Sequence, residues 1–114
     1  MISLARLATE QRAEQGLKRK VIAALRTIFD PELPVNIYDL GLVYALDIDA
    51  AGRVAIRMTL TAPGCPVAQS FPAQVERTVA EVVGVASAHV EIVWDPPWDQ
   101  SRMTEAARLQ LGLV

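Results

Sequence analysis

Residues 42–60 read LVYALDID, Ala50-Ala51-Gly52 and RVAIRMTL, and no other stretch limits the fold as much. In the second half Val54, Ile56, Met58 and Leu60 alternate with Arg53, Ala55, Arg57 and Thr59. A strand with that pattern buries one face and leaves the other in water. The short glycine-containing turn suits a hairpin whose arms are 42–49 and 53–60.

Helical spacing flanks the hairpin. Leu17, Val21, Leu25 and Ile28 predict a helix over 17–29, ended by Pro31, which pushes its predecessor out of helical backbone. Residues 1–15 are weakly patterned: Leu4 and Leu7 begin a helix that Gly16 interrupts. They read as an N-terminal extension to a domain over 16–114. After the hairpin, Val67, Phe71, Val75, Thr78, Val79 and Val82 mark a helix closed near Gly84. Pro72 either bends it or delays its start to about Ser70. VASAHVEIVW (85–94) predicts a third strand, with Ala88, Val90, Ile92 and Trp94 inward and His89 and Glu91 outward. The tail is a proline turn, with Trp94 and Trp98 as anchors, and then a helix from about Arg102 to Leu111 capped by Ser101. The order is helix, strand, strand, helix, strand, helix. A right-handed crossover makes the second and third strands parallel, with the first antiparallel between them. The expected fold is a two-layer α+β single domain: a three-stranded mixed sheet in order 2-1-3, with helices on one face.

At 114 residues the chain suits one domain, and 52% hydrophobic against 21% charged residues argues against global disorder. The formal charge of −2 recommends no polyanion, but it is unevenly spread. Arg6, Arg12, Lys18, Arg19, Lys20 and Arg26 crowd the first 26 residues against only Glu10 and Glu14. A solvated helix face explains this most simply; a docking surface for an acidic partner is the second reading. No apolar run approaches the roughly 18 residues needed to span a bilayer, and MISLARLATEQ lacks an export pattern, so no membrane role is expected. A lone cysteine forms no intrachain disulfide and is expected reduced in the cytoplasm. A small sheet with helices also occurs in RNA-binding modules. The chain lacks a GXXG clamp and aromatic-studded strands, and nucleic-acid binding is not expected.

That cysteine, Cys65, lies in TAPGCP (61–66), after a strand and before a helix that Pro66 is suited to begin. The free N–H groups and positive end of a helix lower a thiol's pKa there. The plain alternative is an inert, buried Cys65. One Cys and one His exclude a structural zinc site of four such ligands within one chain, and an iron–sulfur cluster also takes four ligands. Two copies of the chain, however, bring two Cys65 thiols to one bridging, labile site. A Cys65–His89 catalytic pair fits poorly, because His89 falls on the outer face of another strand. Asp30, Glu32 and Asp39 lie in one irregular loop, either bonded to local backbone or available to a cation. If that loop folds against TAPGCP, Asp30, Glu32, Thr61 and Cys65 form one polar cluster.

DPELPVNIYDLGLVY (30–44), MTLTAPGCP (58–66) and VEIVWDPPWDQSRMTEAARLQLGL (90–113), with the helix between, resemble the small metal–sulfur cluster assembly domain of SUF-system auxiliary proteins of the SufT type. PaaD-type proteins of the phenylacetate pathway and eukaryotic cytosolic iron–sulfur assembly proteins are relatives. The resemblance covers about residues 17–113. It implies a two-layer α/β fold and a non-enzymatic role in iron–sulfur protein maturation. The family's acidic loop matches Asp30, Pro31 and Glu32, followed by Asp39, Leu40 and Gly41; its threonine and reactive cysteine match Thr61 and Cys65. The implied site is Cys65 as metal-binding residue, with Asp30, Glu32, Asp39, Thr61, Gly64 and Pro66 shaping it. The implied cargo is iron or a transient bridging iron–sulfur cluster, with no tightly bound cofactor. The implied partners are SUF scaffold or recipient apo-proteins and a second copy of the chain in a homodimer. A PaaD-like accessory role for a phenylacetyl-CoA oxygenase and a docking module without metal are the alternatives; the C-terminal cysteines usual in PaaD-type proteins are absent.

Overall fold

The computed structural model describes residues 4–61 and 67–113, with side chains over 15–61 and 70–113. The elements are α1 (Leu4–Leu25), β1 (Val43–Ile48), β2 (Arg53–Met58), α2 (Val67–Ala80), β3 (Ser87–Ile92), a 3-10 turn (Gln100–Arg102) and α3 (Glu105–Gln110). This is the α+β order read from the sequence.

The alternation in β2 is realised as expected. Val54, Ile56 and Met58 are at most 2% exposed, while Arg53, Ala55 and Arg57 face water. On the buried face they pack with Val21 and Leu25 of α1 and with Phe71, Val75 and Val79 of α2. The opposite face carries surface ion pairs such as Arg57–Glu91 at 3.3 Å.

The strand order differs from expectation. It is β1-β2-β3, with β2 central, antiparallel to β1 and parallel to β3. The expected 2-1-3 order would leave one edge of β2 unpaired, although β2 has the most deeply buried side chains. Sequential strands tend to lie side by side. The hairpin fills one edge of β2, and α2, which packs on β3, returns the chain to the other.

The hairpin turn is held by Asp49. Its Oδ1 accepts the N–H groups of Ala51 and Arg53, each at 2.9 Å, and its Oδ2 accepts Arg53 Nε at 2.7 Å. The Arg53 N–H and then its guanidinium hold the Asp49 carboxyl below its ordinary value. This support is therefore present above the ordinary carboxylate value and lost as pH falls through the lowered one.

Helix α1 departs from expectation at both ends. It passes through Gly16 without a break, because one helical glycine costs only about 1 kcal/mol relative to alanine. It stops at Leu25 rather than near residue 29. Thr27 N and Ile28 N bond to carbonyls three residues back, at 3.0 and 3.2 Å, and Thr27 Oγ1 donates to Ala24 O at 2.6 Å, tightening the last turn. Ile28 still joins the core. Helix α2 begins at Val67 rather than near Ser70 and runs through Pro72.

The connection over residues 30–42 is structural in its own right. Val35, Ile37, Leu40 and Leu42 are fully buried. Its backbone is closed by Asp30 N to Val35 O (3.1 Å), Ile37 N to Ile28 O (2.9 Å) and Leu40 N to Asn36 O (3.1 Å). The tail crosses over it: Trp98 Nε1 donates to Leu40 O at 2.7 Å, Thr104 N to Asp39 O at 2.8 Å, and Gln110 Nε2 to Pro34 O at 2.8 Å. The expected helix 102–111 is instead divided. Asp99 takes Ser101 N, the extended Met103 buries its side chain, and Thr104 caps α3 by accepting Ala107 N at 3.2 Å. Trp98 anchors the tail as expected. Trp94 is 46% exposed rather than inward, because the chain leaves the sheet after Val93 N bonds Met58 O and enters a proline turn.

Two glycines test this packing with opposite signs. At Gly41, φ is +80° and an added Cβ would lie 2.1 Å from the Arg102 carbonyl oxygen; at Gly16 it would meet nothing within 4 Å. Urea unfolding should show Gly41→Ala destabilised by about 2 kcal/mol or more, and Gly16→Ala stabilised by about 0.5–1 kcal/mol.

Candidate functional site

The parallel strands β2 and β3 end at the same side of the sheet, the side where crevices form in such folds. Thr59, Leu60 and Thr61 extend from β2 there. The acidic loop reaches the same place, with Thr61 Oγ1 donating to Glu32 Oε2 at 3.5 Å, a long bond. Two segments that the sequence separates by 29 residues therefore meet. Cys65, Gly64 and Pro66 lie outside the described residues.

Asp30 is 7% exposed, and its Oδ2 accepts the N–H groups of Glu32 at 2.9 Å and Leu33 at 2.8 Å. The aspartate closes a tight turn on itself. That turn leaves Glu32 on the surface with its carboxylate toward Thr61. Asp30 thus orients Glu32, which is the local role its residue type allows.

Asp39 is engaged elsewhere. Its Oδ2 accepts Asn36 Nδ2 at 2.7 Å and lies 3.7 Å from Arg26 Nε; its Oδ1 accepts Thr104 Oγ1 at 3.2 Å. Asp39 N in turn donates to Asn36 Oδ1 at 2.8 Å. This carboxylate ties the end of α1, the acidic loop and the start of α3 together. Arg26 also stacks over Tyr38, 4.9 Å from the ring centre. His89 lies on the exposed side of β3 as expected, with Nδ1 3.8 Å from Glu76 Oε1. Among the described residues no three His, Cys, Asp or Glu side chains converge as a metal-ligand set.

A feature that sequence reasoning missed adjoins Thr61. A cavity of about 190 Å³ is lined by Thr59, Leu60, Thr61, Trp94, Pro97 and Trp98. Thr59 Oγ1 is buried beside it without a hydrogen-bond partner among the described residues. The pairing of the two tryptophans around DPP was the available signal. The large area of each indole points to anchoring of the tail and not to a cavity.

Three comparisons bear on this arrangement. Residues 18–92 match the family described as iron–sulfur cluster assembly protein. The chain is 44% identical over 94 residues to an Fe-S protein maturation auxiliary factor of Porphyromonas gingivalis, covering 82% of this chain and 90% of that one. It is 42% identical over 100 residues to the Fe-S protein maturation auxiliary factor YitW of Bacillus subtilis, covering 88% and 98%. Its fold matches the crystal structure of the domain of unknown function DUF59 from Bacillus anthracis with a TM-score of 0.81, at 35% identity and over 91% of this chain and 99% of that one. No helix among the described residues is long and apolar enough to cross a membrane. On a family match that spans most of its length and on relatives aligned nearly end to end, the chain belongs to the iron–sulfur cluster assembly protein family.

Proposed function

We propose that this protein is an auxiliary factor in iron–sulfur cluster assembly, not an enzyme, and that Cys65 transiently holds iron or a labile cluster as cargo. The observation that carries this reading is the meeting of Glu32 with Thr61, because it brings a hard oxygen donor to the segment that contains the only thiol. A thiolate with a neighbouring carboxylate suits iron, and the thiol must lose its proton to bind, so uptake rises with pH. Asp30 orients Glu32, Thr61 donates its hydroxyl to Glu32, Gly64 and Pro66 shape the turn around Cys65, and Asp39 holds the loop against α3. One thiol per chain leaves ligand positions for a second copy, which supports a homodimer around a bridging cluster. The cargo passes to or from SUF scaffold and recipient apo-proteins in the cytoplasm.

A docking-module reading without metal draws on a separate observation. Phe29, next to Asp30, is 56% exposed and Trp94, next to the cavity, is 46% exposed, so aromatic surface flanks the same region.

Anaerobic reconstitution with iron and sulfide separates the two. Wild type should gain cluster absorption and shift to a dimer, Cys65→Ala should do neither, and Glu32→Gln should need roughly tenfold more iron. Undiminished absorption in Cys65→Ala would remove the thiol as a ligand. Asp30 serves as an internal control for the orienting role. Asp30→Asn retains an acceptor oxygen and should keep both stability and uptake, whereas Asp30→Ala should lose about 1–2 kcal/mol in urea unfolding.

A further inference from the structure

The two edges of the sheet differ. At β3 the N–H of Val90, the middle one of the outward amides, is taken by Glu76 Oε1 of α2 at 2.9 Å, which obstructs further pairing at the centre of that edge. At β1 the ladder leaves groups pointing outward. Asp49 N bonds Arg53 O at 3.1 Å, and Asp47 pairs with Ala55 two residues along, so both turn their amides toward β2. The alternate residues Leu46 and Ile48 turn theirs away, and no bond reaches those groups among the described residues.

The apolar layer is also incomplete at this edge. Leu46 and Ile48 pair with Ile56 and Val54, which places their side chains on the helix-covered face, yet both are only half-buried. Beside Leu46 a cleft of about 180 Å³ opens between β1 and α1, lined in part by Lys18, Ile22 and Tyr38. Lys18 is exposed and has no ion pair among the described residues. Residues 17–26, LKRKVIAALR, carry four cations and no acid.

We infer that the outer edge of β1 docks an extended acidic segment of a partner protein as a fourth strand. Its backbone pairs with Leu46 and Ile48, alternate apolar side chains enter the cleft under α1, and a carboxylate meets Lys18. A second copy of this chain fits less well. Pairing two β1 edges about a two-fold axis would set two such cationic stretches alongside each other. The inference deepens the proposed reading by naming the chemistry of a partner, and rests on it for that partner's role.

The test uses the full chain, without iron, and a fluorescent ten-residue peptide of alternating valine and threonine flanked by glutamates. Anisotropy should rise with wild type, and Lys18→Glu should weaken binding roughly tenfold, as expected for a lost charge contact of about 1.4 kcal/mol. Ile48→Pro, which removes an outward N–H at an edge position, and a peptide N-methylated at alternate amides should each abolish the rise. Where Ile48→Pro fails to fold by circular dichroism, the N-methylated peptide and Lys18→Glu carry the result. The inference is overturned if the acidic peptide fails to bind wild type at about 1 mM, or if a lysine-flanked counterpart binds as well. It is equally overturned if sedimentation shows an iron-free wild-type dimer that Ile48→Pro turns into monomer, which assigns the edge to a second copy. None of these readouts involves Cys65, so their failure is distinct from failure of the cargo reading.

Discussion

Burying an irregular stretch of backbone obliges each of its amides to find a partner, and the connection between α1 and β1 is built around that demand. Val35, Ile37 and Leu40 sit fully inside the core. The polar groups carried in with them are met by Asp30, Asn36 and Asp39 and by carbonyls of the loop itself. An unmet amide in such a place costs about 1–3 kcal/mol, so a few failures would exceed what a domain of this size has to spare. The side chains that look most chemical in this loop are therefore largely engaged in holding it.

That division of labour shapes the site. Asp30 is spent on its own turn and Asp39 on α1 and α3, which leaves Glu32 as the loop carboxylate turned toward the end of β2. The tail reinforces the arrangement from above. Trp98 is fastened to Leu40, and Trp94, Pro97 and Trp98 line a small cavity with Thr59, Leu60 and Thr61, the residues that follow β2. A loop whose other carboxylates are already bonded within the protein leaves one outward acid, and fewer groups need ordering when that acid meets a ligand.

The sheet's asymmetry follows from the same economy of parts. Two helices, α1 and α2, cover most of the three-stranded layer, and α2 reaches across β3 closely enough for Glu76 to occupy the middle of its edge. Helix α1 lies over β1 less completely and leaves the cleft at Lys18. Which edge stays open is a consequence of where two helices of unequal length come to rest on a twisted surface.

The sequence by itself determined the hairpin, both long helices, the third strand and the order of elements. Each rests on a local period, of two or of 3.6 residues, that neighbouring side chains display without reference to distant ones. It also marked Asp30, Glu32 and Thr61, since an acidic irregular loop and a strand end followed by TAPGCP are visible as such. Only the tertiary structure decided that β2 is central, because the burial pattern of a strand states which face is covered and not which strands lie beside it. Only it separated the roles of Asp30, Glu32 and Asp39, three carboxylates alike on paper, and set Trp94 outward against its period. Those outcomes depend on contacts between residues far apart in the chain: Asp39 with Thr104, Leu40 with Trp98, Glu32 with Thr61. No local pattern encodes them.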